Sequence, residues 1–103
     1  MKDYKRTKEY RELRESLLGS LRERGLDAAC YTDKVDEYMD FWVLRRQLLD
    51  DVAARGLTVT DERGRMMENR SVSLAVQTAR QMQDILRLLG IGGERQREED
   101  DEL

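Results

Sequence analysis

The hydrophobic residues of the chain fall into three stretches with helical spacing. In the first, from about residue 3 to residue 24, the apolar side chains form one stripe with a three-and-four spacing: Tyr10, Leu13, Leu17, Leu18 and Leu21. This spacing predicts an amphipathic helix that buries one narrow face. Gly25 follows, and glycine is the residue type that most often ends a helix.

The second stretch predicts a long helix that begins near Thr32 or Asp33 and ends before Gly56. Its apolar residues cover more than half of the helix circumference: Val35, Tyr38, Met39, Phe41, Trp42, Leu44, Leu48, Leu49, Val52 and Ala53. A helix that rests on one neighbour needs a narrower stripe. Arg45 lies in the middle of this surface and Arg46 near its edge. Either their stems pack on apolar neighbours while the guanidinium groups reach water, or they pair with carboxylates of another subunit.

The third stretch predicts a helix that starts at the N-cap residues Asn69 or Ser71 and runs to Leu89, before Gly90. One face carries Val72, Ala75, Val76, Ala79, Met82, Leu86 and Leu89. Leu74, Ile85 and Leu88 project from nearly the opposite side. We therefore expect one side to pack on the same chain and the other on a second copy. The alternative is a three-helix monomer with some exposed leucines.

A short hairpin is predicted between the last two helices. The turn signal Asp61 to Gly64 is flanked by Leu57–Thr60 and Arg65–Met67, a pattern typical of two short strands around a tight turn. The predicted fold class is all-α, with three main helices, a short β-hairpin-like excursion between the last two, and an oligomeric helical assembly. We expect residues 1–25 to form a basic N-terminal amphipathic helix, residues 26–91 a helical oligomerisation core with the hairpin, and residues 92–103 a disordered acidic tail.

Composition fits this picture. The chain has 103 residues, of which 39% are hydrophobic and 40% are charged. One small domain of this kind buries a modest core, which neighbouring copies could complete. Proline is absent, which favours helices. No apolar run approaches the roughly 20 residues of a membrane span, and no signal peptide is evident. The single cysteine, Cys30, cannot form an internal disulfide, so an intracellular setting is expected, with Cys30 in the turn between two helices.

The residues needed for common catalytic chemistry are missing from the sequence. The chain has no histidine and one cysteine, which excludes a zinc cluster of thiolates and imidazoles and a Ser-His or Cys-His nucleophile. It has neither a Walker A loop nor a G-x-G-x-x-G turn. We predict a protein that is not an enzyme and that uses no cofactor or metal.

The stretch from Thr32 to Ile91 combines several motifs. They are the long second helix, Gly56-Leu57-Thr58-Val59-Thr60-Asp61 with Gly64, Asn69-x-Ser71, and Leu74-Ala75, Ala79, Gln81-Met82, Ile85-Leu86 and Leu89-Gly90-Ile91. With these motifs, the stretch resembles the P27 family of phage terminase small subunits. Arg70 stands where family members often have proline. The resemblance implies a helical, oligomeric subunit that marks viral double-stranded DNA for packaging. It also implies that the protein regulates a separate ATPase-nuclease, the terminase large subunit.

Candidate contact residues follow from charge and from helical position. The first choice for DNA phosphate contacts is the basic N-terminus: Lys2, Lys5, Arg6, Lys8, Arg11 and Arg14. The second choice is Arg63, Arg65 and Arg70 around the hairpin. The alternative for the helical cations is a solvated face paired with Glu9, Glu12 and Glu15. The candidate interface of a homo-oligomer, for which a ring is one arrangement, comprises Phe41, Leu44, Leu48, Leu74, Ile85 and Leu88.

Two functions remain open from the residues alone. The first is DNA recognition by a terminase small subunit. The second is a helical protein–protein adaptor or regulatory oligomer that binds no DNA, which the net charge of −3 favours slightly. The tail, with two cations and six anions from residue 94 onward, could compete with phosphate for the basic N-terminus. It could instead dock the large subunit, as the resemblance implies for a C-terminal region.

Overall fold

Three α-helices and one two-stranded hairpin make up residues 2–91, the part of the chain that this computed structural model describes. A 3₁₀ turn, Tyr4–Arg6, precedes the elements α1 (Lys8–Glu23), α2 (Ala29–Arg55), β1 (Thr58–Thr60), β2 (Met66–Glu68) and α3 (Arg70–Leu88). The predicted helical fold with a hairpin before the last helix is confirmed. The oligomeric assembly and the division into three regions stay predictions, and the predicted acidic tail lies outside the described residues.

The first predicted helix is in fact two elements. Thr7 adopts an extended conformation, with φ −79° and ψ 154°, and its hydroxyl oxygen accepts a hydrogen bond from the backbone N–H of Tyr10. A side-chain oxygen in this position satisfies one of the free amides of the first helical turn, so α1 starts after Thr7. Asp3 caps the preceding 3₁₀ turn through the N–H of Lys5.

The second helix starts earlier than predicted. Ala28, rather than Thr32 or Asp33, is the N-cap of α2, and it makes no side-chain cap hydrogen bond. Cys30 therefore lies in the first turn of α2, where it is exposed. The expectation that it sits in the turn between two helices was wrong because α2 begins at an exposed end, where water can satisfy the first backbone amides without a polar side-chain cap.

The core forms where α1 and α3 both pack on α2. Its buried residues are Tyr4, Leu17, Leu21, Val35, Tyr38, Met39, Trp42, Ile85 and Leu89. Trp42 meets the rings of Tyr4 and Tyr10 edge-on, with centroids 6.1 and 5.8 Å away. Arg46 lies over the same indole at 4.4 Å, so its stem and guanidinium pack on an aromatic neighbour within the chain. The Tyr4 hydroxyl also donates to the Asp50 carboxylate, which ties the N-terminus to α2.

The predicted division of α3 into two faces was wrong for two residues. Ile85, assigned to the outer face, is 6% exposed and lies in the core with Leu89, whereas Val76, assigned to the inner face, is 51% exposed. Ile85 and Leu89 are four residues apart and therefore share one face of the helix. Leu88 remains 66% exposed, as its assignment to the outer face predicts.

Truncation of the buried Ile85 should lower the free energy of unfolding far more than truncation of the exposed Leu88. We expect Ile85→Ala to lower the free energy of unfolding by about 2–5 kcal/mol, because it leaves a cavity among well-packed side chains. Leu88→Ala should change it by about 0.5 kcal/mol or less. Urea denaturation followed by circular dichroism measures both. Equal losses for the two variants in dilute protein would contradict this placement of α3.

Candidate nucleic-acid interface and assembly surface

Asn69 joins the end of α2 to the start of α3, and it is fully buried. Its side-chain oxygen accepts from the backbone N–H of Ser71 at 3.0 Å and thereby caps α3. Its side-chain amide donates to the carbonyl of Gly56 at 2.9 Å, and its backbone N–H donates to the carbonyl of Leu57 at 2.8 Å. One side chain thus satisfies the first turn of α3 and fixes the chain just past α2.

A second set of hydrogen bonds reinforces this joint, by which we mean the contacts of Asn69 with Gly56, Leu57 and Ser71 between the end of α2 and the start of α3. The guanidinium of Arg55 donates two hydrogen bonds of 2.7 Å to the Asp51 carboxylate, and the Ser71 hydroxyl donates a third at 2.6 Å. The hydrogen bonds from Arg55, and then those from Ser71 and Asn69, hold the pKa of Asp51 well below its usual range. The Asn-x-Ser motif is therefore structural: Asn69 caps the helix and Ser71 anchors it to α2.

The hairpin extends from this joint. Strands β1 and β2 are antiparallel, and Thr58 pairs with Glu68, Val59 with Met67, and Thr60 with Met66. The Asp61 carboxylate accepts from the backbone N–H groups of Arg63 and Arg65 at 2.9 and 2.8 Å. Gly64, with a φ of 80°, completes the turn.

The nine candidate DNA-binding cations lie in two separate regions, the N-terminal segment and the hairpin with the start of α3, and five of them face carboxylates. The pairs are Lys5–Asp40 (3.9 Å), Arg6–Asp3 (3.4 Å), Lys8–Glu12 (3.6 Å), Arg14–Asp36 (3.2 Å) and Arg65–Asp61 (3.3 Å). Lys2 lies over the ring of Tyr4 at 5.3 Å. Arg11, Arg63 and Arg70 form no ion pair within residues 2–91. Of the expected glutamate partners, Glu12 forms an ion pair with Lys8. The partners Asp36 and Asp40 lie on α2, and they were not predicted because they are far from Arg14 and Lys5 in the sequence.

The six candidate interface residues differ in how much surface they offer. Leu44 is 42% exposed and Leu88 is 66% exposed, so both present apolar surface to the outside. Phe41, Leu48 and Leu74 are half-buried within the chain. Ile85 belongs to the core of the single chain, and the side chain has little surface left for a second copy.

An open groove of about 460 Å³ lies between α2 and α3, a position that was not predicted from the sequence. Its lining is mainly apolar but includes two arginines. The lining residues are Arg45, Leu49, Val52, Leu57, Val72, Ala75, Val76, Ala79, Arg80 and Gln83. Leu49 is 41% exposed, Leu57 67% and Val76 51%, so the groove presents accessible hydrophobic surface. Arg45, in the middle of the apolar surface of α2, is one of the cations that line it.

Other kinds of site are not evident in the described part of the chain. No helix within residues 2–91 has the length and apolar character needed to cross a bilayer. The same residues contain no group of three or more cysteine, aspartate or glutamate side chains arranged to hold a metal ion. The described surface carries exposed cations and an apolar groove, which are features of surfaces that bind other macromolecules.

A comparison with models of protein families shows what the chain is similar to. The model of a family described as "Phage terminase, small subunit" matches residues 10–98. The matched range includes nearly all of α1, both later helices and the hairpin. It confirms the resemblance at the level of the terminase small subunit, while the P27 subfamily stays a prediction. Comparisons with curated proteins and with solved structures gave no match.

The network around Asp51 should make stability depend on acid pH. The pKa of Asp51 is lower in the folded chain than its ordinary value of 3.8. The ionised Asp51 carboxylate therefore stabilises the fold fully at pH values above its pKa in the unfolded chain. This stabilisation is lost as the pH falls through its pKa in the folded chain. We expect Asp51→Asn to be less stable than the wild type at pH 7 and to lose less stability between about pH 5 and pH 2.

Chemical denaturation at a series of pH values tests this dependence. Asp27→Asn is a matched control, because Asp27 lies on the exposed connector between α1 and α2. The free energy of unfolding of Asp27→Asn should equal that of the wild type at pH 7. If Asp51→Asn also matched the wild type at every pH, the network would not stabilise the joint.

Proposed function

The chain belongs to the phage terminase small-subunit family, and we propose that it recognises viral double-stranded DNA and regulates the terminase large subunit. The family match over residues 10–98 is the observation that carries this proposal. In this role the protein is the non-catalytic partner. The ATPase and nuclease activities belong to the large subunit, and the complex acts in the cytoplasm of the bacterial host.

The N-terminal segment is the best-supported surface for DNA. Between residues 2 and 14 it has six cations and three carboxylates, and a local excess of positive charge attracts phosphate at any sequence. Asp36 and Asp40 of α2 partly offset this excess through Arg14 and Lys5. Arg11 has no such carboxylate partner among the described residues, so we assign it a leading role. Such contacts supply affinity and orientation rather than base readout.

The exposed apolar surface supports self-association. Leu44, Val76 and Leu88 are each more than 40% exposed, and the groove adds further hydrophobic area. A stable monomer exposes few contiguous apolar patches of this kind. We therefore assign a homo-oligomeric state to the functional protein.

The adaptor function is the second candidate, and the groove is the observation that favours it. An apolar groove between two helices can bind one face of a partner helix without any role in DNA binding. The net charge of −3 is compatible with such a role. DNA binding separates the two functions, since the adaptor would bind none.

A gel-shift titration of viral DNA at several salt concentrations tests the proposal. Binding that weakens steeply with salt supports DNA recognition, because each phosphate contact releases counterions. Arg11→Ala should reduce affinity and lower the slope of log affinity against log salt by about one. Arg22→Ala, at the other end of α1, is the matched control and should leave the slope unchanged. An absence of binding at low salt would favour the adaptor.

The acidic segment from Glu94 to Leu103 has a proposed regulatory role, which follows from its charge. Its deletion should leave assembly intact, raise DNA affinity at low salt, and reduce stimulation of the large subunit. A scrambled tail of the same composition separates two causes. Electrostatic competition should survive scrambling, whereas docking to the large subunit should not. Unchanged affinity and unchanged stimulation after deletion would assign neither role to the segment.

A further inference from the structure

One face of the hairpin is entirely exposed and combines apolar and acidic side chains. Residues that pair across β1 and β2 project to the same side, and successive residues alternate between sides. The pairing therefore places Met66 and Glu68 on one face, together with Thr58 and Thr60. All four residues are exposed, and Met66 is exposed by 75%. No side chain within residues 2–91 covers this methionine.

The groove between α2 and α3 has the complementary character. Its apolar lining includes Leu49, Val72 and Val76, and its two charged residues, Arg45 and Arg80, are both cations. It is open to solvent in the single chain and has a volume of about 460 Å³. A segment with a flexible apolar side chain and a nearby carboxylate would match both its surface and its charge.

We propose that the groove of one copy receives the hairpin of the next copy. This inference rests on the homo-oligomer of the proposed function and specifies how its copies meet. Met66 enters the apolar part of the groove, where its unbranched thioether can adapt to an irregular space. Glu68, two residues along the same face, meets the Arg45 and Arg80 guanidinium groups.

The arrangement is directional. Hairpin and groove are different surfaces of one chain, so the contact is heterologous and every copy has one of each. Repetition of the same rotation closes a ring, or it extends a filament when the rotation does not close. Leu57 lines the groove beside the base of its own hairpin, so an incoming hairpin also contacts the segment that leads to the outgoing one.

Disulfide trapping tests this pairing. Cys30 is exposed and would interfere, so it is first replaced by serine. In that background, one protein contains Met66→Cys and a second contains Val76→Cys, and both replaced side chains are more than half exposed. Under mild oxidation of the full-length proteins, the mixture should form a covalent dimer of one of each, and neither protein should cross-link alone. The double variant in one chain should form a ladder of higher species.

Other occupants of the groove would give different results. Cross-linking of Val76→Cys with itself would indicate that two grooves face each other. A mixed dimer that is absent in the full-length proteins and appears after removal of residues 92–103 would assign the groove to that segment. Mixed dimers as abundant with Gln81→Cys, at an exposed position of α3 outside the groove, as with Val76→Cys would indicate random collision. Each of these results would overturn the proposal.

Native mass spectrometry separates this inference from the proposed function. Met66→Glu should raise the dissociation constant of the oligomer at least tenfold, since it places a second carboxylate in the apolar part of the groove. Met67→Glu is the matched control, because Met67 is 53% exposed on the opposite face of the hairpin. An oligomer that forms without the mixed disulfide would overturn only the hairpin contact. A wild-type monomer at every concentration would overturn the contact and the homo-oligomer together.

Discussion

The buried amide of Asn69 is the contact that sets the relation between the two long helices. Helices α2 and α3 run in opposite directions and share one core, so the position at which α3 starts decides which of its residues meet α2. Asn69 fixes that position through hydrogen bonds to Gly56 and Ser71 and through its backbone contact with Leu57. Buried amides are costly when they lack partners. A shift of α3 by one residue would leave this amide without them, so the network selects one register.

The two halves of α2 have different surroundings, and this difference explains the width of its apolar surface. In the first half, Val35, Met39 and Trp42 belong to the core that includes residues of α1 and α3. In the second half, Leu49 and Val52 line the groove beside α3. The same apolar pattern therefore serves the core at one end and an open surface at the other. The apolar periodicity of one helix shows which positions avoid water, but it does not distinguish a position in the core from one in an open groove.

The number, type and order of the elements could be predicted from the sequence, because they depend on local spacing and on residues with strong backbone preferences. Gly56, Gly64 and Gly90 all have positive φ and mark ends or turns that the sequence indicates. The break at Thr7 was missed because threonine is common both inside helices and at caps. The placement of Ile85 was wrong because the direction of a helix face depends on the neighbour it meets. The groove and the Asp51–Ser71 bond depend on contacts across about 20 positions, which no local pattern contains.

The hairpin has a further property that follows from the joint at its base. Its two ends leave the helical pair at Leu57 and Asn69, whose backbone carbonyl and N–H lie 2.8 Å apart in one hydrogen bond. The chain between these points can therefore change in length or sequence without moving either helix. Loops closed in this way tolerate variation at little cost to the rest of the fold. The hairpin is therefore a module on a fixed helical frame, and its length and turn can change while the helical pair keeps its geometry.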